Sequence, residues 1–174
     1  MANAVFVVDM IRGFCEDGHA LYCGRAARDI IPNIRRLLKR EIAAGSTIFY
    51  LNDSHDADDA EFKLFPQHCV AGSDEAGIIP ELSEYPGDVI PKTRYSGFWK
   101  TDLDSKLAKL KPEKIVICGV CTDICVMFTA ADAMYRGYDI EIPLDCVASF
   151  DKDAHQFALK HMQKLFGAKL TTLE

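Results

Sequence analysis

The sequence predicts an α/β fold of three layers, α-β-α, in which helices cover both faces of a mostly parallel, Rossmann-like sheet of about six strands. Three observations predict it. Short β-branched apolar runs alternate with amphipathic helical stretches along nearly the whole chain, the pattern left by repeated strand and helix units. Two of the helical stretches meet a stop residue, Gly45 and Pro112. The 174 residues, 49% hydrophobic and without a tract of biased composition, suit one compact domain over residues 1–174 with a substantial core.

The elements follow in order. AVFVVDM (4–10) is the first strand, and DIIPNIRRLLKREIAAG (29–45) is a helix with Ile30, Ile34, Leu37, Leu38 and Ile42 on one side. STIFYLND (46–53) is the second strand and GDVIPK (87–92) a shorter third. TDLDSKLAKLKPE (101–113) is a helix begun by Thr101 or Asp102. KIVICGV (114–120) is the fourth strand, followed by a helix over TDICVMFTAADAMYRG (122–137) and a fifth strand in YDIEIPLD (138–145). A helix over DKDAHQFALKHMQKLFG (151–167) and a closing strand in AKLTTL (168–173) complete the series. The irregular section from Asp53 to Gly87 is the exception, and long loops in compact domains carry function. The sequence contains no internal repeat.

Composition narrows the function classes. The net charge of −6 is dispersed and no basic stripe is interleaved with aromatics, so nucleic acid is not an expected partner. MANAVFVVDMIRGF stays apolar for only a few residues before Asp9 and Arg12, which fits neither a signal peptide nor a membrane span. A cytoplasmic location is expected, and there seven cysteines, an odd number, read as free thiols.

Ligands of such sheets bind outside the carboxyl ends of the strands. Asp9 ends the first run, Asn52 and Asp53 end the second, Lys92 follows DVIP, and GVCTDIC follows the fourth strand. Within that last segment Cys118 lies in an apolar strand and reads as a small buried hydrophobe. Cys118 and Cys121 form a C-x-x-C, but the pair begins in a strand and no second pair completes a zinc site. Cys125 falls in the first turn of the expected helix, where the dipole is expected to lower a thiol pKa, so it is the best nucleophile of the three. Asp9 is then the candidate base and Lys92 the charge that holds both groups in place.

VVDMIRGF, IPKTRYSGFWKTDLD and CGVCTDICVMFTAADA, in that order and continued by GYDIEIPLDCVASF, carry a resemblance that covers nearly the whole chain. The sequence resembles the isochorismatase-like cysteine hydrolases, and within them the nicotinamidases, which include pyrazinamidase-like enzymes. Their pattern has an aspartate after the first strand, a lysine after the third and a cysteine in G-[IVL]-x-T-D-x-C-V. The resemblance implies Asp9, Lys92 and Cys125 as the catalytic set. It also implies a cis peptide between Val120 and Cys121 that aims the backbone amides of Cys121 and Cys125 at an oxyanion. Cys121 stands where the family more often has alanine.

The loop NDSHDADDAEFKLFPQHC offers Asp53, His55, Glu61 and His68, an oxygen and nitrogen set suited to zinc, iron or manganese. The resemblance implies one divalent metal ion there, zinc ahead of iron or manganese, on the D-x-H pair and the histidine of F-P-x-H-C. Many relatives supply another histidine soon after the D-x-H; residues 56–60 contain none, and Glu61 resembles the carboxylate that a subset uses instead. Asp56, Asp58 and Asp59 compete for that place or form a solvated acidic loop. Phe14, Phe65 and Tyr95 match positions that line a slot for a flat ring, and Trp99 is a further candidate.

The implied activity is deamidation of nicotinamide to nicotinic acid and ammonia through a Cys125 thioester, in NAD salvage. An amidohydrolase acting on another small carboxamide or carbamoyl compound is the alternative, and a ligand-binding domain without turnover is a third. The expected partners are a small-molecule substrate and, by resemblance, further copies of the chain as a homo-oligomer, with no membrane.

Overall fold

The computed structural model describes residues 2–173. Seven strands among the described residues form one sheet: β1 (Ala4–Val8), β2 (Thr47–Asp53), β3 (Asp88–Lys92), β4 (Ile115–Val120), β5 (Ile140–Pro143), β6 (Val147–Ala148) and β7 (Lys169–Thr171). The order is β3-β2-β1-β4-β5-β7, with β6 paired to β4, and every pairing in the sheet is parallel. The strand beyond the expected six is β6. Its two residues pair with Gly119 and Val120, a contact too short to leave a hydrophobic run in the sequence.

The helices are α1 (Arg12–Cys15), α2 (Arg25–Asp29), α3 (Ile31–Ala43), α4 (Leu103–Leu110), α5 (Met127–Tyr135) and α6 (Lys152–Phe166). α3 is the helix expected over residues 29–45, and the short α2 before it was not expected. Pro32 occupies the first turn of α3, where a missing amide costs nothing. α4 starts after Thr101, whose hydroxyl accepts the Leu103 amide at 3.3 Å. α6 is capped by Asp151, which accepts the amides of Asp153 and Ala154.

Side chains alternate along each strand and so fill two cores. Val5 and Val7 of β1 pack with Ile34, Leu37 and Leu38 of α3 on one face. Ala4, Phe6 and Val8 pack with Leu107 of α4, Ala130 of α5 and Leu159 of α6 on the other. No helix among the described residues is long and apolar enough to cross a membrane.

The sheet winds one way from β1 to β2 and β3 and the other way from β1 to β4 and β5. The crevice of a doubly wound sheet opens at this reversal, between the carboxyl ends of β1 and β4. Those two strands meet closely there. Gly119, paired with Val8, has φ of 111°, and a Cβ on it would lie 2.1 Å from the Val8 carbonyl oxygen.

Candidate active site

Four neighbouring strand ends bring Asp9, Asp53, Lys92 and the segment after β4 to that crevice. Asp9, one residue past β1, has φ of 51°, a left-handed conformation that aspartate tolerates better than most residues. Its Oδ1 accepts the Asp53 amide at 2.8 Å, and its Oδ2 lies 2.9 Å from Lys92 Nζ. Lys92, fully buried, also donates to Asp53 Oδ1, to the Arg94 carbonyl at 3.2 Å and to Cys125 Sγ at 3.5 Å. A carboxylate oxygen of Asp9 lies within 4.8 Å of Cys125 Sγ.

Electrostatics give these groups different protonation. Burial opposes the Lys92 charge, but Asp53, Asp9 and Cys125 outweigh it and hold the ammonium well above the ordinary lysine value. Burial, then the charge of Asp53, pushes the Asp9 carboxyl up to about 6 against the pull of Lys92. Burial also opposes the Asp53 charge, yet Lys92 and His55 keep that carboxyl below its ordinary value. Two carboxylates therefore share one ammonium, with Asp53 the permanent anion and Asp9 the group able to take and return a proton near neutrality.

Cys125 differs from expectation. The α-helix proper begins at Met127; residues 122–126 form a wider, π-type turn in which the Val126 amide reaches the Cys121 carbonyl at 3.2 Å. Burial raises the Cys125 thiol well above its ordinary value, more than Lys92 lowers it. Desolvation outweighs the helix start, so this is a protonated thiol that needs the adjoining base rather than a ready thiolate. The Val120–Cys121 peptide is cis.

A second cluster adjoins the first through Asp53. One ligand atom each from Asp53, His55, Glu61 and His68 lie within 4.8 Å of one another. Each histidine has its Nδ1 engaged, His55 with Asp59 Oδ2 at 3.1 Å and His68 with the Pro66 carbonyl at 2.7 Å. Their Nε2 atoms converge on Asp53 Oδ2, at 3.5 and 3.9 Å. His55 Nε2 is buried without a hydrogen-bond partner. An orphaned ring nitrogen in a two-carboxylate, two-imidazole set fits a divalent ion. Asp56 and Asp58 are exposed and stand apart from the cluster, and Asp59 serves the far side of the His55 ring.

A cavity of about 220 Å³ opens onto both clusters, with Phe14, Phe65 and Tyr95 in its wall beside Cys121, Cys125 and Glu61.

The isochorismatase domain model matches residues 3–174 of this chain. The chain belongs to the isochorismatase family. This isochorismatase-family hydrolase is similar in structure to nicotinamidase/pyrazinamidase PncA from Bacillus subtilis, at 35% identity and a TM-score of 0.92, covering 98% of this chain and 100% of the other. It is similar to the pyrazinamidase of Pyrococcus horikoshii in complex with zinc, at 30% identity and 0.91, over 99% and 100% of the two chains. It is also similar to N-carbamoylsarcosine amidase from Thermoplasma acidophilum, at 33% identity and 0.89, over 99% and 96%.

Outside the two clusters, Trp99 departs from the sequence expectation, whereas Cys118 is the buried core residue expected. Trp99 does not line the cavity; it is half exposed, with Lys100 Nζ 5.5 Å from its ring centroid. Cys118 Sγ faces the Phe6 carbonyl at 3.4 Å inside the core, while Cys121 Sγ meets Cys23 Sγ at 3.4 Å, so the two ends of the C-x-x-C point to different neighbours. Sequence reasoning missed three parts of the cavity wall: Ile124, Phe150 and residues 20–23. Phe150 lies just beyond β6, so the strand-end rule would have found it had that strand been legible. Residues 20–23 carry neither periodicity nor motif.

Proposed function

We propose that this hydrolase deamidates nicotinamide to nicotinic acid and ammonia, with Cys125 as the nucleophile and Asp9 and Lys92 as its catalytic partners. One observation carries the reading: Asp53 belongs at once to the Lys92 charge network and to an oxygen and nitrogen cluster fit for a metal, and both face one aromatic-walled cavity. Similarity to nicotinamidase and pyrazinamidase structures, one of them in complex with zinc, supports it. Asp53, His55, Glu61 and His68 would hold the ion, zinc ahead of iron or manganese, and the bound ion would supply an anchor for a ring nitrogen that orients the carboxamide.

The chain's own residues do the rest. Phe14, Phe65 and Tyr95 hold a flat ring and exclude water. Asp9 takes the Cys125 proton as the sulfur adds to the amide carbon, a general-base step worth about 10²–10⁴-fold in rate. The backbone amides of Cys121 and Cys125 receive the oxyanion; one such donor contributes about 3–4 kcal/mol. Asp9 returns its proton to the departing ammonia, then takes one from the water that cleaves the thioester. Lys92 keeps Asp9 and Cys125 in register throughout. The reading carries with it a role in NAD salvage in the cytoplasm, performed by a homo-oligomer of single-domain chains.

Similarity to N-carbamoylsarcosine amidase favours a second reading, hydrolysis of another small carboxamide or carbamoyl compound on the same three residues. Ammonia release from nicotinamide and from N-carbamoylsarcosine, measured before chelation, after it and after zinc is restored, separates the two. Release from nicotinamide that vanishes and returns with zinc is the expected result. Metal-independent release from the carbamoyl substrate alone would transfer the assignment to the second reading.

A further inference from the structure

Asp59 stands outside the four-residue cluster and yet holds three groups around it. Its Oδ2 meets His55 Nδ1 at 3.1 Å, its Oδ1 accepts the Glu61 amide at 2.9 Å, and both oxygens face Arg94 Nη1, at 3.0 and 3.1 Å. Arg94 Nη1 also lies 3.9 Å from Glu61 Oε2, and the Arg94 carbonyl accepts from Lys92. The Asp59 side chain is 7% exposed, although residues 56–58 just before it are exposed.

We propose that Asp59, clamped by Arg94, is the positioning residue of the metal site: it fixes the tautomer of His55 and the backbone of Glu61, and so sets the affinity of the cluster for a divalent ion. The inference rests on the metal-dependent reading above. Its logic is tautomeric. A neutral imidazole that ligates through Nε2 must carry its proton on Nδ1, and a carboxylate only accepts, so Asp59 at Nδ1 leaves the Nε2 lone pair facing the cluster. The Pro66 carbonyl does the same for His68. The second Asp59 oxygen starts the short 3₁₀ turn of residues 60–63, which carries Glu61. Arg94 holds the carboxylate from outside, and its tie to Lys92 runs through a backbone carbonyl that any substitution there keeps.

Asp59→Asn separates this role from ordinary packing. Whichever way the amide is turned, its NH₂ opposes either the Glu61 amide or His55 Nδ1; with the oxygen kept on Glu61, the imidazole is driven to the tautomer whose Nε2 carries hydrogen. Zinc affinity of the purified protein, read without substrate by competition with a chromophoric chelator, is expected to fall about 10–100-fold. Arg94→Met is expected to give a smaller loss and Arg94→Lys to recover part of it, with the metal-free melting temperature of both Arg94 variants close to wild type. One zinc per wild-type chain together with unchanged affinity in Asp59→Asn would overturn the positioning role and leave the metal site intact. A wild type that binds no zinc would overturn both. If Asp59→Asn does not fold, Arg94→Met decides alike: weakened binding supports the role, and unchanged binding refutes it.

Discussion

Replacing Lys92 with methionine keeps an unbranched side chain one atom shorter and removes the one ammonium between Asp9, Asp53 and Cys125. The two carboxylates are themselves buried, at 1% and 3% exposure, so water does not replace the lost charge. Breaking a buried pair from one side costs about 3–5 kcal/mol. In a chain of this size each kcal/mol moves the melting temperature by about 2–4 °C, so metal-free Lys92→Met should melt about 6–20 °C below wild type at pH 8. The sign of the pH dependence follows from the shifts. Lys92 is raised above 10.5, so its contribution is complete below that value and disappears only as pH rises through the higher folded value. Asp53 is lowered below 3.8, so its contribution is present above 3.8 and is lost as pH falls through the folded value. In the variant both carboxyls regain the option of protonation, and the deficit should shrink as pH falls from 8 towards 4. Thermal unfolding followed by circular dichroism, with chelator present, reads this directly. A variant as stable as wild type at pH 8, or a deficit that does not change with pH, would refute the charge network.

Asp9 acts as a base only when ionised, and its carboxyl is raised to about 6, so the acid limb of kcat/KM should lie above the ordinary 3.8; a limb at 3.8 or below, in a pH profile of ammonia release, contradicts this. The same shift has the opposite sense for stability, since protonated Asp9 favours the fold below 3.8 and that contribution is lost as pH rises through about 6. Cys118→Ala should retain turnover and cost about 1–2 kcal/mol in urea unfolding, as loss of a buried core group does. Cys121→Ala should also retain turnover, because only the backbone amide of that residue is assigned a role. Gly119→Ala sets a Cβ against the Val8 carbonyl at φ of 111°, and it should lose more than about 4 kcal/mol or fail to give soluble protein.

Much of the fold was legible because it is written in local patterns. Runs such as AVFVV and KIVIC are apolar on both faces because both faces of the sheet are covered, and helices such as α3 show a single apolar stripe. What escaped depends on distant residues. β6 exists through pairing with Gly119 and Val120, and the π-type turn at Cys125 through a five-residue backbone bond, and neither has a periodicity of its own. In the candidate site, Asp9, Lys92 and Asp53 could be recognised from their strand ends. That Lys92 bridges the two aspartates depends on β3, β2 and β1 being neighbours, which strand order alone decides. The Cys125 pKa went the other way for a similar reason: the sequence locates a helix start, whereas burial is a property of the assembled core. Asp59 could not be told from Asp56 and Asp58 by composition, and only the approach of Arg94 and His55 separates them.

The most direct measurement is ammonia release from nicotinamide by zinc-loaded wild type and zinc-loaded Cys125→Ala side by side, with nicotinic acid quantified in the same samples. Equal amounts of ammonia and nicotinic acid are expected from the wild type, and none above background from a folded Cys125→Ala. Release by Cys125→Ala at the wild-type rate, or no release from nicotinamide by the wild type, would contradict the proposed function.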